Sequence, residues 1–414
     1  MNAYEKSLWS TYGLAMLFLM GSLSSLGCQQ SESASELGDA PYSSKATTAG
    51  VVPTDEECVA FGTALENQAA AGNLSAFNDA INWDAILDRA VGGISVDDRM
   101  KNGFRQGVLQ TVGQPQGLPS QIIQQTEQGG DYKYLGTHMV GDEKRVVFRL
   151  RLSGDRGVNY HDMKVLKNEQ GQTKAVDIYV LMSAEFMSKT LRRAFIPLAA
   201  EQSKSVFQKL TQAENDFVKN VTKFQKMTQL YRSGEFPQVE TVYRSLPDSM
   251  QQEKNIMLIW LQAASQISDA KYANAIKDFR RYHPNDPCVD IISIDSHILK
   301  GQYDEALQCI DRLDKSVGGD PYLNVMRANI MLGKGDNASA RKFATLAVKE
   351  EPTLPPAYWA LVSVSLADKN YDETVQQLNL LKTKFALAFD DLTQVPDYAD
   401  FVKSPQYKDW VKTL

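Results

Sequence analysis

At 414 residues the chain has room for two or three domains, and 43% hydrophobic with 9% aromatic residues allows real cores. A net charge of −6 and a pI near 5.4 provide no basic footprint for phosphates, which argues against nucleic acid as a partner. The cysteines are Cys28, Cys58, Cys288 and Cys309; the first has a use of its own, which leaves three.

Residues 1–27 have a polar start with Lys6, an apolar run from Leu14 to Met20 and then small residues, the layout of a secretory signal. The run is too short to cross a bilayer, which takes about 20 apolar residues. Ser25-Leu26-Gly27-Cys28 resembles the lipobox of bacterial lipoproteins: Gly27 and Cys28 match, while Ser25 departs from the usual leucine. The resemblance implies a signal cut before Cys28, acyl chains on that cysteine, and a lipid-anchored place in the bacterial cell envelope. Gln29, where an inner-membrane lipoprotein would have aspartate, implies the outer membrane, facing the periplasm. The competing reading is an ordinary cleaved signal with a chance cysteine. Residues 28–52 are rich in Ser, Ala, Gly and Thr without apolar period, so they form a tether rather than a fold. As a random coil it would span about 27 Å.

Residues 53–200 read as an α+β domain. Thr54 is a candidate N-cap with Glu57 three residues on, and Cys58, Phe61, Leu65 and Ala69 recur at helical spacing. Cys58 is therefore a small core residue. Further helices are expected at 74–91 and 96–112. From Asp131 the period changes to two, predicting four strands at 132–140, 144–152, 158–167 and 174–182 in an antiparallel meander. Val146, Phe148, Leu150 and Leu152 should face inward, with Arg145, Arg149 and Arg151 toward water. Three helices followed by such a meander resemble the cone fold of nuclear-transport-factor-like proteins and ketosteroid isomerases. That resemblance implies a pocket, which Tyr160, His161, Asp162, Asp177 and Tyr179 could furnish with an acid and a base. Neighbours on a strand point to opposite faces, so Tyr160 and Asp162 can share a pocket that His161 cannot enter. The plainer reading packs the tyrosines and leaves the carboxylates in water.

Residues 201–220 read as a connecting helix. Beyond them a turn pattern recurs: Gly234-Glu235-Phe236, Ala270-Lys271-Tyr272, Gly301-Gln302-Tyr303, Gly335-Asp336-Asn337 and Lys369-Asn370-Tyr371. Its third positions stand 36, 31, 34 and 34 residues apart, and three residues later come Val239, Ala275, Ala306, Ala340 and Thr374. In Leu323–Pro356 the pattern is fullest, with Gly335 in the turn, Ala340 and Ala347 as small packing residues and Pro352 as a stop. It resembles the tetratricopeptide repeat, a helix–turn–helix unit of 34 residues. The resemblance implies an all-α solenoid of about five repeats over 221–392, with 393–414 as a capping helix carrying Phe401, Trp410 and Leu414.

His283, Asp286, Cys288, Asp290, Asp295 and His297 could tempt a metal assignment, but no pair has the spacing of a metal motif. Counted out from the turn at Gly301, Cys288 and Cys309 are out of step by roughly 7 Å at 1.5 Å per residue, which disfavours a disulfide. No nucleophile motif, phosphate loop or cofactor fingerprint is present, so no cofactor is expected. The expectation is a membrane-anchored lipoprotein, not an enzyme, whose repeat groove binds a protein or peptide. The alternative is a ligand-binding or enzymatic cone with the repeats as a docking or dimerisation module.

Overall fold

The computed structural model describes residues 50–412 except 116, 156 and 390. The signal, Cys28, nearly all of the tether and Leu414 lie outside the described residues. Helix α1 (Asp55–Ala70) begins at a reciprocal cap: Thr54 Oγ1 accepts from the Glu57 amide, and the Glu57 carboxylate accepts from the Thr54 amide at 2.8 Å. Its buried side, Cys58, Phe61, Leu65 and Ala69, repeats every three to four residues. The single helix expected at 74–91 is two, α2 (Leu74–Asp79) and α3 (Trp83–Val91). Between them the chain leaves the helix to pair with the sheet: the Asn82 amide donates to Ala175 O, and the Ala175 amide to Ala80 O. Asn73 and Asn82 then cap the two pieces. Helix α4 (Asp98–Val112) is followed by α5 (Leu118–Glu127), which buries Leu118, Ile122 and Ile123. Pro119 suits the first turn of that helix.

The sheet is antiparallel and in sequence order: β1 (Asp131–Val140), β2 (Glu143–Arg151), β3 (Val158–Lys167), β4 (Thr173–Val180) and β5 (Glu185–Phe186). Gly141, Gly154 and Gly171 turn the chain with φ near +59°, +67° and +75°, a region that costs a residue with a Cβ. Three helices and four strands were expected; five helices precede five strands. The fifth strand has two residues, too few for an alternating pattern to register. On one face Tyr132, Phe148, Met163 and Ile178 join Leu65, Phe77 and Ile86 in the main core. The other face corrects a second expectation. Arg149 and Arg151 do not face water; both are buried, and both hold Asp131. Alternation separates the two faces of a strand but does not say what covers either one.

Where one connecting helix was expected over 201–220, α6 (Met187–Gln202), a 3-10 turn (Lys204–Lys209) and α7 (Gln212–Lys219) follow. Helices α8 (Val221–Arg232), α9 (Phe236–Arg244), α10 (Asp248–Gln251), α11 (Lys254–Ile267) and α12 (Asp269–Tyr282) complete a first compact unit that runs to Val289. Within it α6 packs on α3, β4 and α7, and α7 packs on α10, so the sheet layer passes into the first helix pairs without a gap.

The second unit, Asp290–Leu414, takes up most of α13 (Cys288–Leu299) and continues with α14 (Tyr303–Val317), α15 (Pro321–Gly333), α16 (Asn337–Glu350), α17 (Pro355–Ala367) and α18 (Tyr371–Phe385). From α14 onward each helix packs on the next, and α15 also packs on α17, the stacking of helical hairpins. The end is not one capping helix. Three 3-10 turns at 392–394, 396–398 and 401–403 lead to a short α19 (Pro405–Val411). Pro396 and Pro405 break the run, yet Leu392, Phe401 and Trp410 are buried against Tyr358, Val362, Leu378 and Leu381.

Candidate functional site

The five sheet residues weighed as an acid–base set do not converge. His161 points into the core, where its Nδ1 lies 3.1 Å from the Tyr132 hydroxyl and Phe148 stacks on the Tyr132 ring. Burial brings its pKa down to about 3, so the imidazole is neutral at ordinary pH. The space a cone would keep open is filled there by Phe77, Tyr132 and Phe148. Tyr160 is buried on the opposite face, and Asp162 pairs with Arg145 and His138, each at 3.2 Å. Asp177 is buried and accepts the Ser188 hydroxyl at 2.5 Å and the Ser188 amide at 3.2 Å; burial raises its pKa despite those bonds. Tyr179 donates to Asp286 at 2.7 Å, and burial beside that carboxylate pushes its hydroxyl far up.

Asp286 is a junction. It also receives Lys254 Nζ at 2.5 Å and the Cys288 amide at 2.9 Å, so one carboxylate ties strand β4 to the starts of α11 and α13. The other members of the metal-tempting cluster have separate tasks. His283 contacts Gln252 O at 2.7 Å, His297 contacts Gln302 at 2.8 Å, and Asp290 receives Arg312. The thiols of Cys58, Cys288 and Cys309 are buried; Cys288 donates weakly to Met182 O, and Cys309 accepts from Arg312 at 3.2 Å.

Beside that junction α6, α7, α10 and α11 enclose a cleft of about 390 Å³. Its floor is apolar, with Ile196, Phe217, Met250 and Ile256. Its walls carry ion pairs: Arg193 grips Glu185 with both terminal nitrogens at 2.9 and 2.7 Å, and Arg192 meets Glu214 at 2.5 Å. Glu214 is fixed in turn by a second capping box with Thr211. Both guanidiniums are already matched by carboxylates, and Lys189 and Glu253 complete the charged lining, so the cleft can hold an amphipathic side chain. Helix periodicity shows neither this cleft, whose lining comes from four separate helices, nor the Arg193–Glu185 pair, whose acid lies in β5 outside α6.

The repeat residues fall into clear places. Gly234, Gly301 and Gly335 take φ of +75°, +67° and +78°, and Lys369 takes the equivalent conformation at +57°. Ala275, Ala306, Ala340 and Ala347 are buried, as is Tyr272, while Phe236, Tyr303 and Tyr371 open their helices half-buried. Pro352 follows the end of α16. The second repeat differs from its motif. Ala270-Lys271-Tyr272 lies inside the first turn of α12, and Ser268 caps that helix instead of a glycine turn. Counting from helix starts restores the order: α9, α12, α14, α16 and α18 begin at 236, 269, 303, 337 and 371, at intervals of 33, 34, 34 and 34.

These two sets of helices differ in exposure. Along α11, α13, α15 and α17 nearly every residue is buried or half-buried, whereas α14, α16 and α18 each keep an exposed face. No family model matches the chain, and no curated protein is similar to it.

Proposed function

We propose that the protein is a lipid-anchored scaffold of the bacterial cell envelope that binds a protein or peptide partner through its helical repeats. The observation that carries this reading is the spacing of 33 to 34 residues between successive second helices, the period of a tetratricopeptide array. Such arrays stack because one hairpin cannot bury its apolar face alone, and the stack leaves a long ordered surface whose common use is recognition. The groove expected from the sequence is moved outward in this reading. The first helices have almost no exposed face, so the partner meets the exposed faces of α14, α16 and α18, where Gln308, Lys342 and Gln376 each stand five residues past the helix start. The lipobox-like Ser25-Leu26-Gly27-Cys28 supports the anchor.

Two experiments test the reading separately. Cys28→Ser should release the chain from membranes or stall its processing; retention at the normal mature mass would remove the anchor. A photo-crosslinking residue placed at 308, 342 or 376 in cells should give one shared adduct that excess purified chain competes away. Adducts absent at all three positions would remove the scaffold surface.

A further inference from the structure

One end of the sheet gathers exposed apolar side chains at the place where residues 1–49 join the described fold. Met139 and Val140 close β1, and their cross-strand partners Lys144 and Glu143 open β2. Asp55, at the start of α1, pairs with Lys144 and so brings that helix end to the β1–β2 hairpin. Val59 lies one helical turn further on the same stripe. Gly62 next along it sits against the Tyr134 ring, where a Cβ would come within 2.4 Å, and Glu66 accepts the Tyr134 amide at 3.0 Å. Val59 therefore stands beside the outer half of β1. Val51 is held at the neighbouring strand end, its carbonyl accepting from the Lys167 amide at 2.9 Å. Val51, Val52, Val59, Met139 and Val140 are 42 to 67% exposed. The other exposed large apolar residues among those described, such as Leu109 and Tyr282, are single and on separate elements.

We infer that this end of the sheet is a seat for a lipid surface, on which the anchored protein rests. The inference builds on the lipoprotein reading above. Two features favour lipid over a protein partner. The chain that would lead to the acylated Cys28 departs here, and a coil of this length spans only about 25 to 30 Å. A tether that short keeps this end at an effective concentration in the millimolar range relative to the bilayer, so even a weak apolar contact is occupied. Most charges at this end are also matched: Asp55 with Lys144, Glu57 with Lys167, and Glu143 with both Lys164 and Arg145, which leaves the exposed acids Glu56 and Asp142. Paired charges and two surplus acids offer no attraction to anionic headgroups, so the contact is carried by the valines and Met139 and is not weakened by salt. The tether then holds the body down rather than clear of the membrane.

The test uses the full chain, acylated in a bacterial host and reconstituted into phosphatidylethanolamine–phosphatidylglycerol vesicles that carry a shallow spin-labelled lipid. An environment-sensitive fluorophore goes on Met139→Cys and, for reference, on Leu109→Cys in α4. The native thiols of Cys58, Cys288 and Cys309 are buried. Spin-labelled lipid should quench the 139 probe at least threefold more than the 109 probe, no less at 500 mM than at 50 mM salt, and the 139 emission should shift to the blue. Equal quenching at both sites on chains that float with the vesicles overturns the seat and leaves the anchor standing. Chains that carry no lipid and fail to float overturn the lipoprotein reading and the seat with it. A 139 thiol shielded from labelling before any lipid is added means that the chain itself or a second copy covers the patch, which also overturns the proposal.

Discussion

In the sheet layer, polar groups are taken out of water and each must be matched: His161 by Tyr132, Asp177 by Ser188, Glu185 by Arg193, Arg149 by Asp131. In the Asp290–Leu414 unit, the interior is instead mostly leucine, isoleucine, valine and alanine, and the ion pairs between successive hairpins, Lys334 with Asp304 and Arg341 with Asp368 and Glu373, lie toward the surface. Two of its buried charges, Asp290 and Arg327, pair with exposed groups, Arg312 and Asp311. The difference follows from how each region is assembled. A repeat array is a sum of similar contacts, and small residues such as Ala340 and Ala347 let any hairpin stack on the next. A curved sheet with helices on it is assembled once, from dissimilar parts, and specific polar pairs settle which part goes where. The array should therefore be sensitive to volume, and the sheet layer to protonation.

The largest expected effect tests the volume half at the end of the array. Phe401 is fully buried and its ring meets Tyr371, Tyr398 and Tyr407 at centroid distances of 5.3 to 6.2 Å. Phe401→Ala should cost about 3–5 kcal/mol in urea unfolding, the range for a deleted core aromatic ring. A loss below about 1 kcal/mol would mean that the segment after Phe385 does not support the last hairpin. Next comes overpacking. Ala340 is fully buried in α16, so Ala340→Leu should cost about 1–3 kcal/mol, whereas the same change at the exposed Ala338 should cost almost nothing. Equal midpoints for the two variants would remove the small-residue packing argument.

Protonation is the matching test for the sheet. The unfolded His161 imidazole takes a proton below about pH 6.5, but the folded one is held neutral until about 3. Between those values the unfolded state binds more protons, so stability falls as pH falls, by about 1.4 kcal/mol per unit from this residue. Asp177 works in the opposite sense: its pKa is raised by burial, so acid relieves it. His161→Gln keeps an acceptor for the Tyr132 hydroxyl and has no such proton to bind. Unfolding free energies at pH 7 and pH 5 should show the wild type losing about 2 kcal/mol more than the variant. Parallel losses would mean that His161 is not held neutral.

Much of the array could be read from residue types, and the reason is local. A turn glycine and a small residue three positions into a helix act within one hairpin, so Gly301 with Ala306 and Gly335 with Ala340 stand out in the chain itself. The strands were legible for the same reason: alternation in Val146–Leu152 is a property of neighbours, and all four long strands end within two residues of the expected bounds. What escaped was set by distant partners. The break between α2 and α3 exists because Ala80 and Asn82 pair with Ala175, about ninety residues away. Arg149 is buried because of what lies over the sheet, and the cleft beside α6 draws on four elements. Pro119 and the glutamines around it disguised α5, although proline is at home in a first turn. In the second repeat the residue pattern points to a turn at Ala270-Lys271-Tyr272, while Ser268 caps the helix and that stretch lies inside its first turn.

The smallest expected effect compares the turns of the array with one another. Gly234, Gly301 and Gly335 all adopt positive φ before a second helix, and at the fifth turn Lys369 does so with a Cβ in place, at +57°. A left-handed residue other than glycine costs about 1–2 kcal/mol, and glycine gives back about 0.5–1 kcal/mol of that through its greater freedom in the unfolded chain. The Lys369 ammonium also pairs with Asp400 at 3.4 Å, but both groups are well exposed, so the pair is worth about 0–1 kcal/mol and vanishes in salt. At 0.5 M salt, Lys369→Gly should therefore stabilise the chain by about 0.5 kcal/mol, while Gly335→Ala should destabilise it by about 1 kcal/mol. The two changes exchange the same conformational cost in opposite directions. If Lys369→Gly is destabilising at high salt, the lysine makes a contribution at that turn that backbone conformation does not supply, and the fifth turn is then not equivalent to the third and fourth.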